Sequence, residues 1–238
     1  MLDILIKNGQ IIDGTGAARR RADVAIEGDR IVDIGVLEGA SARTVIDAQG
    51  HVVTPGFVDM HSHADLSLPL FPAAESLVRQ GITTGVMGHC GITPAPLFPE
   101  TRQAVATGLG LLEGEQALPI EEWGSFGSYL EYLARIGIAM NATMMVGQGT
   151  IRAGIMLFSA ERPTPEQMAR MQTEVAKAMD EGAIGLSTGL IYPPGSYATT
   201  EELIEITRPV AAKRGTYYSH IRGEGDTLLE AIEEAIRI

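Results

Sequence analysis

The sequence contains one cysteine, one tryptophan and only 5% aromatic residues in 238. A lone Cys90 forms no internal disulfide, so a bridge-stapled secreted fold is excluded and a reducing cytoplasm is the default compartment. Basic residues are also scarce: Lys plus Arg number 18 against 30 Asp plus Glu, a net charge of −12. Such a chain offers no basic face to neutralise phosphates, which argues against nucleic acid and anionic membranes as partners. Long apolar runs are missing too. The uncharged stretch from Ile136 to Ile151 carries Asn141 and Gln148 and falls short of the ~20 residues of a spanning helix. The start Met1-Leu2-Asp3-Ile4 has no positive flank before an apolar core, so it does not read as a signal peptide. With 45% hydrophobic and 20% charged residues, the rest is ordinary for a packed globular protein.

Up to about Val53 the apolar residues come in short alternating runs: Ile4 and Ile6, Val24 and Ile26, Ile31 to Ile34, Val45 and Ile46, Val52 and Val53. These read as short strands, with hairpin turns at Asn8-Gly9 and Glu27-Gly28-Asp29. Residues 1–54 are therefore expected to form a small β-sandwich-like module. From residue 55 onward, apolar runs alternate with amphipathic segments. The strand candidates are Phe57–Met60, Ile82–Met87, Ile138–Val146, Ile184–Ser187 and Thr216–Ser219. Helices are expected over Ala73–Gln80 and Phe126–Ile136, from Thr164-Pro165 onward, from a capping box at Thr199 to Glu202, and from an Asp226 cap to the terminus. Pro209 is expected to kink the helix it falls in.

This alternation predicts an α/β fold, a partial TIM-like (β/α) barrel with about five of its eight βα units, over residues 55–238. A whole barrel takes ~250 residues, and the last helix has no glycine stop, so the sequence reads as truncated at the C-terminus or as a fragment. The irregular stretch Pro94–Trp123 reads as a long loop, and its Gly108-Leu109-Gly110 is not a nucleotide fingerprint because the third glycine is misplaced.

Each strand candidate ends in glycine, histidine, cysteine or another polar residue, where barrels place their chemistry. His61 and His63 follow the first, and side chains at i and i+2 on extended backbone point the same way, so the two could grip one metal. Cys90 ends the second within Gly88-His89-Cys90-Gly91, either as a ligand or as a small buried hydrophobe. His220 ends the fifth. Imidazole and thiolate are preferred zinc ligands. His89 reads as a supporting or structural residue and His51 as a surface one. Arg222, two residues past His220, could take a substrate carboxylate through two parallel hydrogen bonds or be a plain surface arginine. Asp65 either orients a ligand or caps the next segment.

Four stretches carry a more specific signal: 54–65 (TPGFVDMHSHAD), 81–92 (GITTGVMGHCGI), 185–197 (GLSTGLIYPPGSY) and 219–225 (SHIRGEG). Together they resemble the metal-dependent amidohydrolases, and within them the N-acyl-D-amino-acid deacylases. The resemblance runs nearly the whole chain. It implies hydrolysis of a small-molecule N-acyl-D-amino acid by metal-activated water, with zinc, one or two ions, held by His61, His63, Cys90 and His220. It also implies Tyr192 at the substrate pocket. A further histidine and an aspartate base would come from a sixth and an eighth strand that this sequence does not contain. Many amidohydrolases bridge their metals with a carbamylated lysine, yet Lys7, Lys177 and Lys213 all lie away from strand ends, which leaves Cys90 as the available anion. Position 89 is histidine where the resemblance leads one to expect asparagine. Another amidohydrolase activity, or a non-catalytic fragment, stands as the alternative. A homo-oligomer is open, since unclosed sheet edges invite pairing.

Overall fold

The computed structural model describes residues 1–99, 102, 103, 107 and 118–238. The stretch Pro94–Trp123 thus lies partly outside the described residues, and Gly108-Leu109-Gly110 wholly so. The chain divides into two compact units, Met1–Gly56 and Phe57–Ile238.

In the first unit, β1 (Leu2–Ile11), β2 (Arg20–Glu27), β3 (Arg30–Gly35), β4 (Ala42–Asp47) and β5 (Val52–Val53) form one mixed sheet, ordered β3-β2-β1-β4 with β5 against β1. Buried Ile11, Ala22 and Val24, with Ile6, Ile26 and Val53 against them, make its core. No turn forms at Asn8-Gly9. Asn8 takes φ 63° inside β1, and pairing with β2 slips between Ile6 and Gly9. The strand bulges rather than reverses because Asn8 is tied on both sides: its N–H donates to Asp23 Oδ1 (2.8 Å) and its side-chain amide to Asp47 Oδ1 (2.9 Å).

The second unit is built on strands paired only in parallel: β6 (Phe57–Asp59), β7 (Ile82–Met87) and β8 (Asn141–Met144) in one sheet, β9 (Val146–Gly147), β10 (Gly185–Gly189) and β11 (Thr216–His220) in the other. Only Met145 separates β8 from β9. Its N–H donates to Met87 O (3.0 Å), while Ile184 N–H donates to Met144 O (2.9 Å), so the hydrogen-bonded layer continues from β7 to β10. Parallel strands need crossovers, and here helices supply them. These are α1 (Ala64–Ser67), α2 (Glu75–Val78), α3 (Phe126–Ile136), α4 (Gln148–Met156), α5 (Pro165–Asp180), α6 (Thr200–Ala212) and α7 (Leu228–Arg237).

The helix starts follow the local chemistry. Ser125 opens α3 by accepting Ser128 N–H (3.2 Å), and Thr164 with Gln167 forms a reciprocal capping box ahead of Pro165. Thr199 caps α6 through Glu202 N–H (3.3 Å), but the box expected there is not reciprocal, because the Glu202 carboxylate is committed to Arg152. Thr227, not Asp226, sits at the N-cap of α7, and it makes no side-chain cap bond. The expected Ala73–Gln80 helix is a single turn, α2, entered through Ala74 at φ 44°. Pro209 lies within α6, which runs on to Ala212. Met87, Met144, Val146 and Leu186 of the strands pack with Phe126, Leu133, Met171, Val175, Ile206 and Val210 of the helices in one core. Among the described residues no helix is long and apolar enough to cross a membrane.

Candidate metal centre

Because the strands of the second unit are parallel, their C-terminal ends share one edge, and the chemistry-bearing residues stand at it or just past it. After β6 the chain is held to β7 by Ser62 N–H on Val86 O (3.0 Å), and His61 N–H donates to Asp59 Oδ1 (3.1 Å). His61 and His63 project from this short segment with ring centroids 5.6 Å apart.

After β7 the backbone turns sharply through three left-handed residues in four: Gly88 (φ 74°), Cys90 (φ 55°) and Gly91 (φ 72°). Only glycine serves at the flanking positions. A Cβ on Gly88 would stand 2.1 Å from Met145 O, and one on Gly91 2.8 Å from Gly189 N. The turn is pinned from β10 and α4. The Ser187 hydroxyl donates to Gly88 O and accepts Gly91 N–H (3.1 Å), while Gly91 O accepts Thr150 N–H (3.0 Å). A non-glycine residue held in this region stores strain, the kind of backbone found at functional sites.

That turn delivers Cys90 Sγ to a point 3.5 Å from His61 Nε2 and 3.5 Å from His220 Nδ1. His63 completes the group: ligand atoms of His61, His63 and Cys90 all lie within 4.8 Å of one another. His220 Nε2 lies 3.3 Å from Glu224 Oε1, an approach that misses hydrogen-bond geometry and leaves that nitrogen buried without a bond. Tyr192 sets its ring edge-on to His220, centroids 5.1 Å apart at 84°.

Burial pushes the Cys90 thiol up from its ordinary value, and the Asp65 carboxylate, itself fully buried in α1, adds to the shift. Burial lowers His63, with His61 and His220 adding. Burial, then His61 and His63, brings His89 down to about 4, the Val86 and Met60 carbonyls partly offsetting them. Neutral imidazoles keep a lone pair for a cation. Three imidazoles and one thiol are the donor chemistry of a zinc site, so the residues fit the metal that the sequence motifs imply. The two lysines of this unit are paired elsewhere, Lys177 with Glu181 and Lys213 with Asp180.

Arg222 is engaged elsewhere. Its Nε donates to Glu234 Oε2 (3.0 Å), Nη2 to Glu234 Oε1 (3.0 Å) and Ala198 O (2.8 Å), and Nη1 to Ser196 O (2.8 Å). A carboxylate clamp needs two parallel N–H groups, and these contacts leave one. The guanidinium instead ties α7 to the Ser196–Ala198 turn that follows Tyr192. Arg222→Ala is expected to lower unfolding free energy by about 1–3 kcal/mol, the cost of leaving a largely buried acceptor unpaired. Urea denaturation checks it, and an unchanged midpoint would show that these bonds add no net stability.

Two residues carry more here than the sequence reading gave them. His89 is buried against His61, and Gln148, the first residue of α4, is fully buried with neither side-chain amide atom hydrogen-bonded. Gln148 directly follows a strand, the position that marks the other site residues, and that was the signal available.

Residues 44–237 match the model of the amidohydrolase family. The chain belongs to the amidohydrolase family. It is 42% identical over 236 residues to a D-aminoacylase and 39% identical over 239 residues to an N-acyl-D-glutamate deacylase, both of Alcaligenes xylosoxydans xylosoxydans. These matches cover 99% and 100% of the chain but 48% and 47% of the relatives, so the chain spans about half their length. Among solved structures, the N-acyl-D-glutamate deacylase of Bordetella bronchiseptica, complexed with zinc and a phosphonate mimic of the tetrahedral intermediate, superposes with a TM-score of 0.89 at 38% identity, over 99% of this chain and 48% of that one. The family that the four motifs resemble is thus the family found.

Proposed function

We propose that the chain carries the metal-binding half of a deacylase that hydrolyses the amide bond of N-acyl-D-amino acids, releasing a carboxylic acid and a D-amino acid. The observation that carries this reading is Cys90 Sγ placed 3.5 Å from imidazole nitrogens of both His61 and His220. His61, His63, Cys90 and His220 would hold zinc, as one ion or two. When bound, zinc supplies Lewis acidity that polarises the scissile carbonyl and makes water a nucleophile at neutral pH. Around it the chain's own residues orient and shelter. The Cys90 turn fixes the sulfur, Tyr192 walls the His220 side, and Arg222 holds the turn after Tyr192. The carboxylate that moves a proton to the leaving nitrogen is not among these residues.

The architecture supports the same reading. Parallel strands β6 to β11, joined through Met145, are read as five consecutive units of a (β/α) barrel. In the Met1–Gly56 sheet, Ile31, Val32, Val45 and Ile46 are exposed, as befits one layer of a sandwich-like module. The free thiol suits a reducing cytoplasm.

Elemental analysis of the purified chain, run beside hydrolysis of N-acetyl-D-methionine and its L enantiomer, tests the proposal. Zinc at about one ion per chain is expected, with D-selective release of free amino acid wherever the carboxylate base is also present. A chain that takes up no zinc, or a complete enzyme that prefers the L substrate, overturns it.

A further inference from the structure

We infer that His89 is a positioning residue for His61 and is not a ligand of the ion that His61 binds; this rests on the metal-centre reading above. His89 is 1% exposed, and its ring stacks on His61 with centroids 4.0 Å apart and planes 13° from parallel. On another side it meets the Tyr218 ring edge-on, at 5.3 Å and 86°. An imidazole lone pair lies in the plane of its ring. Two rings stacked this closely therefore aim their lone pairs into separate, nearly parallel layers. An ion in the His61 plane at the ~2.0–2.1 Å of a zinc–nitrogen bond stands off the His89 plane by roughly the stacking distance. One ion cannot take both nitrogens while the stack persists.

What the stack supplies is order. His61 is exposed and follows a strand of only three residues, so its ring would otherwise sample several rotamers. His89 covers one face of that ring and leaves Nε2 directed at Cys90. It can do so because its own place is fixed: it sits between Gly88 and Cys90 in the left-handed turn and against Tyr218. Its Nε2 is buried without a hydrogen-bond partner, so the ring is held by hydrogen bonding to the Val86 and Met60 carbonyls and by packing, with no bond from that nitrogen. A ligand already held in its binding orientation loses less freedom when the ion arrives. Asparagine at this position has no aromatic face to offer.

Titration with Co(II) of the 238-residue chain and three variants tests this. The thiolate-to-cobalt absorption band reports Cys90, and the visible ligand-field bands report the imidazoles. His89→Ala is expected to keep the thiolate band and a native circular dichroism spectrum while binding Co(II) about tenfold more weakly, as losses around metal ligands do. His89→Phe, which keeps the stacking face and removes both nitrogens, is expected within about threefold of the parent by the same measure. If His89 acts through His61, the pair His61→Ala/His89→Ala binds no more weakly than His61→Ala alone. Parent-like affinity in His89→Ala, or a loss in His89→Phe equal to that in His89→Ala, overturns the inference while leaving the centre intact. Absence of a thiolate band in the parent chain overturns the metal-centre reading and this inference with it.

Discussion

Cys90→Ser is expected to weaken zinc binding by about 10²–10³-fold in a competition titration at pH 7 while leaving the fold intact. Four-ligand zinc sites bind with about 10–16 kcal/mol, so one ligand carries about 3–4 kcal/mol, which is two to three decades. Serine is a fair probe because it is nearly the same size and sits in the same backbone. Whatever holds the left-handed turn, from Ser187 and Thr150, acts on the main chain of Gly88 and Gly91 and not on the cysteine side chain. The pH dependence should change as well. The thiol starts from an ordinary value of 9.0 and is raised by burial, then by Asp65, so at pH 7 it is protonated before metal arrives. The ion must displace that proton. Affinity therefore falls as pH falls, with Cys90 alone contributing about tenfold per unit below its pKa. Serine removes that contribution, so Cys90→Ser releases about one proton fewer on binding zinc at pH 7. Calorimetry in two buffers of different ionisation enthalpy measures the proton count. Equal affinity or equal proton release in the two proteins would remove Cys90 from the centre.

What the sequence discloses here depends on whether the signal is local. The run Ile82–Met87 becomes β7 to the residue, Phe126–Ile136 becomes α3 to the residue, and Thr164-Pro165 opens α5 where its capping chemistry says it should. His61, His63, Cys90 and His220 share one property visible in one dimension, a place at or just past the end of a strand, and the structure gathers all four. Local signals mislead where a distant partner outbids them. Asn8-Gly9 has the composition of a hairpin turn, but Asp23 and Asp47 hold Asn8 inside β1 as a bulge. Glu202 has the spacing of a capping box, but a buried arginine 50 residues earlier takes its carboxylate. Arg222 has the placement of a substrate clamp, but Glu234 and the Ser196 and Ala198 carbonyls occupy it. The face-to-face stack of His89 on His61 joins two strand ends, and no spacing rule along the chain encodes a stacking angle.

The buried arginine leads to the second large effect. Arg152→Met is expected to lower the unfolding free energy by about 3–5 kcal/mol, the usual result of breaking a buried ion pair from one side. Arg152 has no exposed surface; its Nε donates to Glu202 Oε1 (2.9 Å), Nη1 to Ser159 O (2.6 Å) and Nη2 to Glu161 O (2.8 Å). Removing the guanidinium strands the Glu202 carboxylate, whose other oxygen is already buried without a partner. Burial raises the Glu202 pKa from its ordinary 4.5, and Arg152 is the charge that opposes the rise. Without Arg152 the folded-state value climbs further above the unfolded one. Between those two values the folded protein binds more protons than the unfolded chain, so stability falls as pH rises through the window. The deficit of Arg152→Met relative to the parent should accordingly be larger at pH 8 than at pH 5, by urea denaturation at both. Arg152→Met/Glu202→Met should recover much of it, since no lone charge is left behind. A loss below about 1 kcal/mol, or a deficit that grows toward acid, would show that the pair is not the anchor that its burial implies. The consequence reaches the metal centre through α4, because the helix that Arg152 ties to α6 presents Thr150 to Gly91 O and Thr93 in its first turn. Loosening that helix releases one of the two clamps on the Cys90 turn, so zinc affinity should decline in Arg152→Met and return in the double variant.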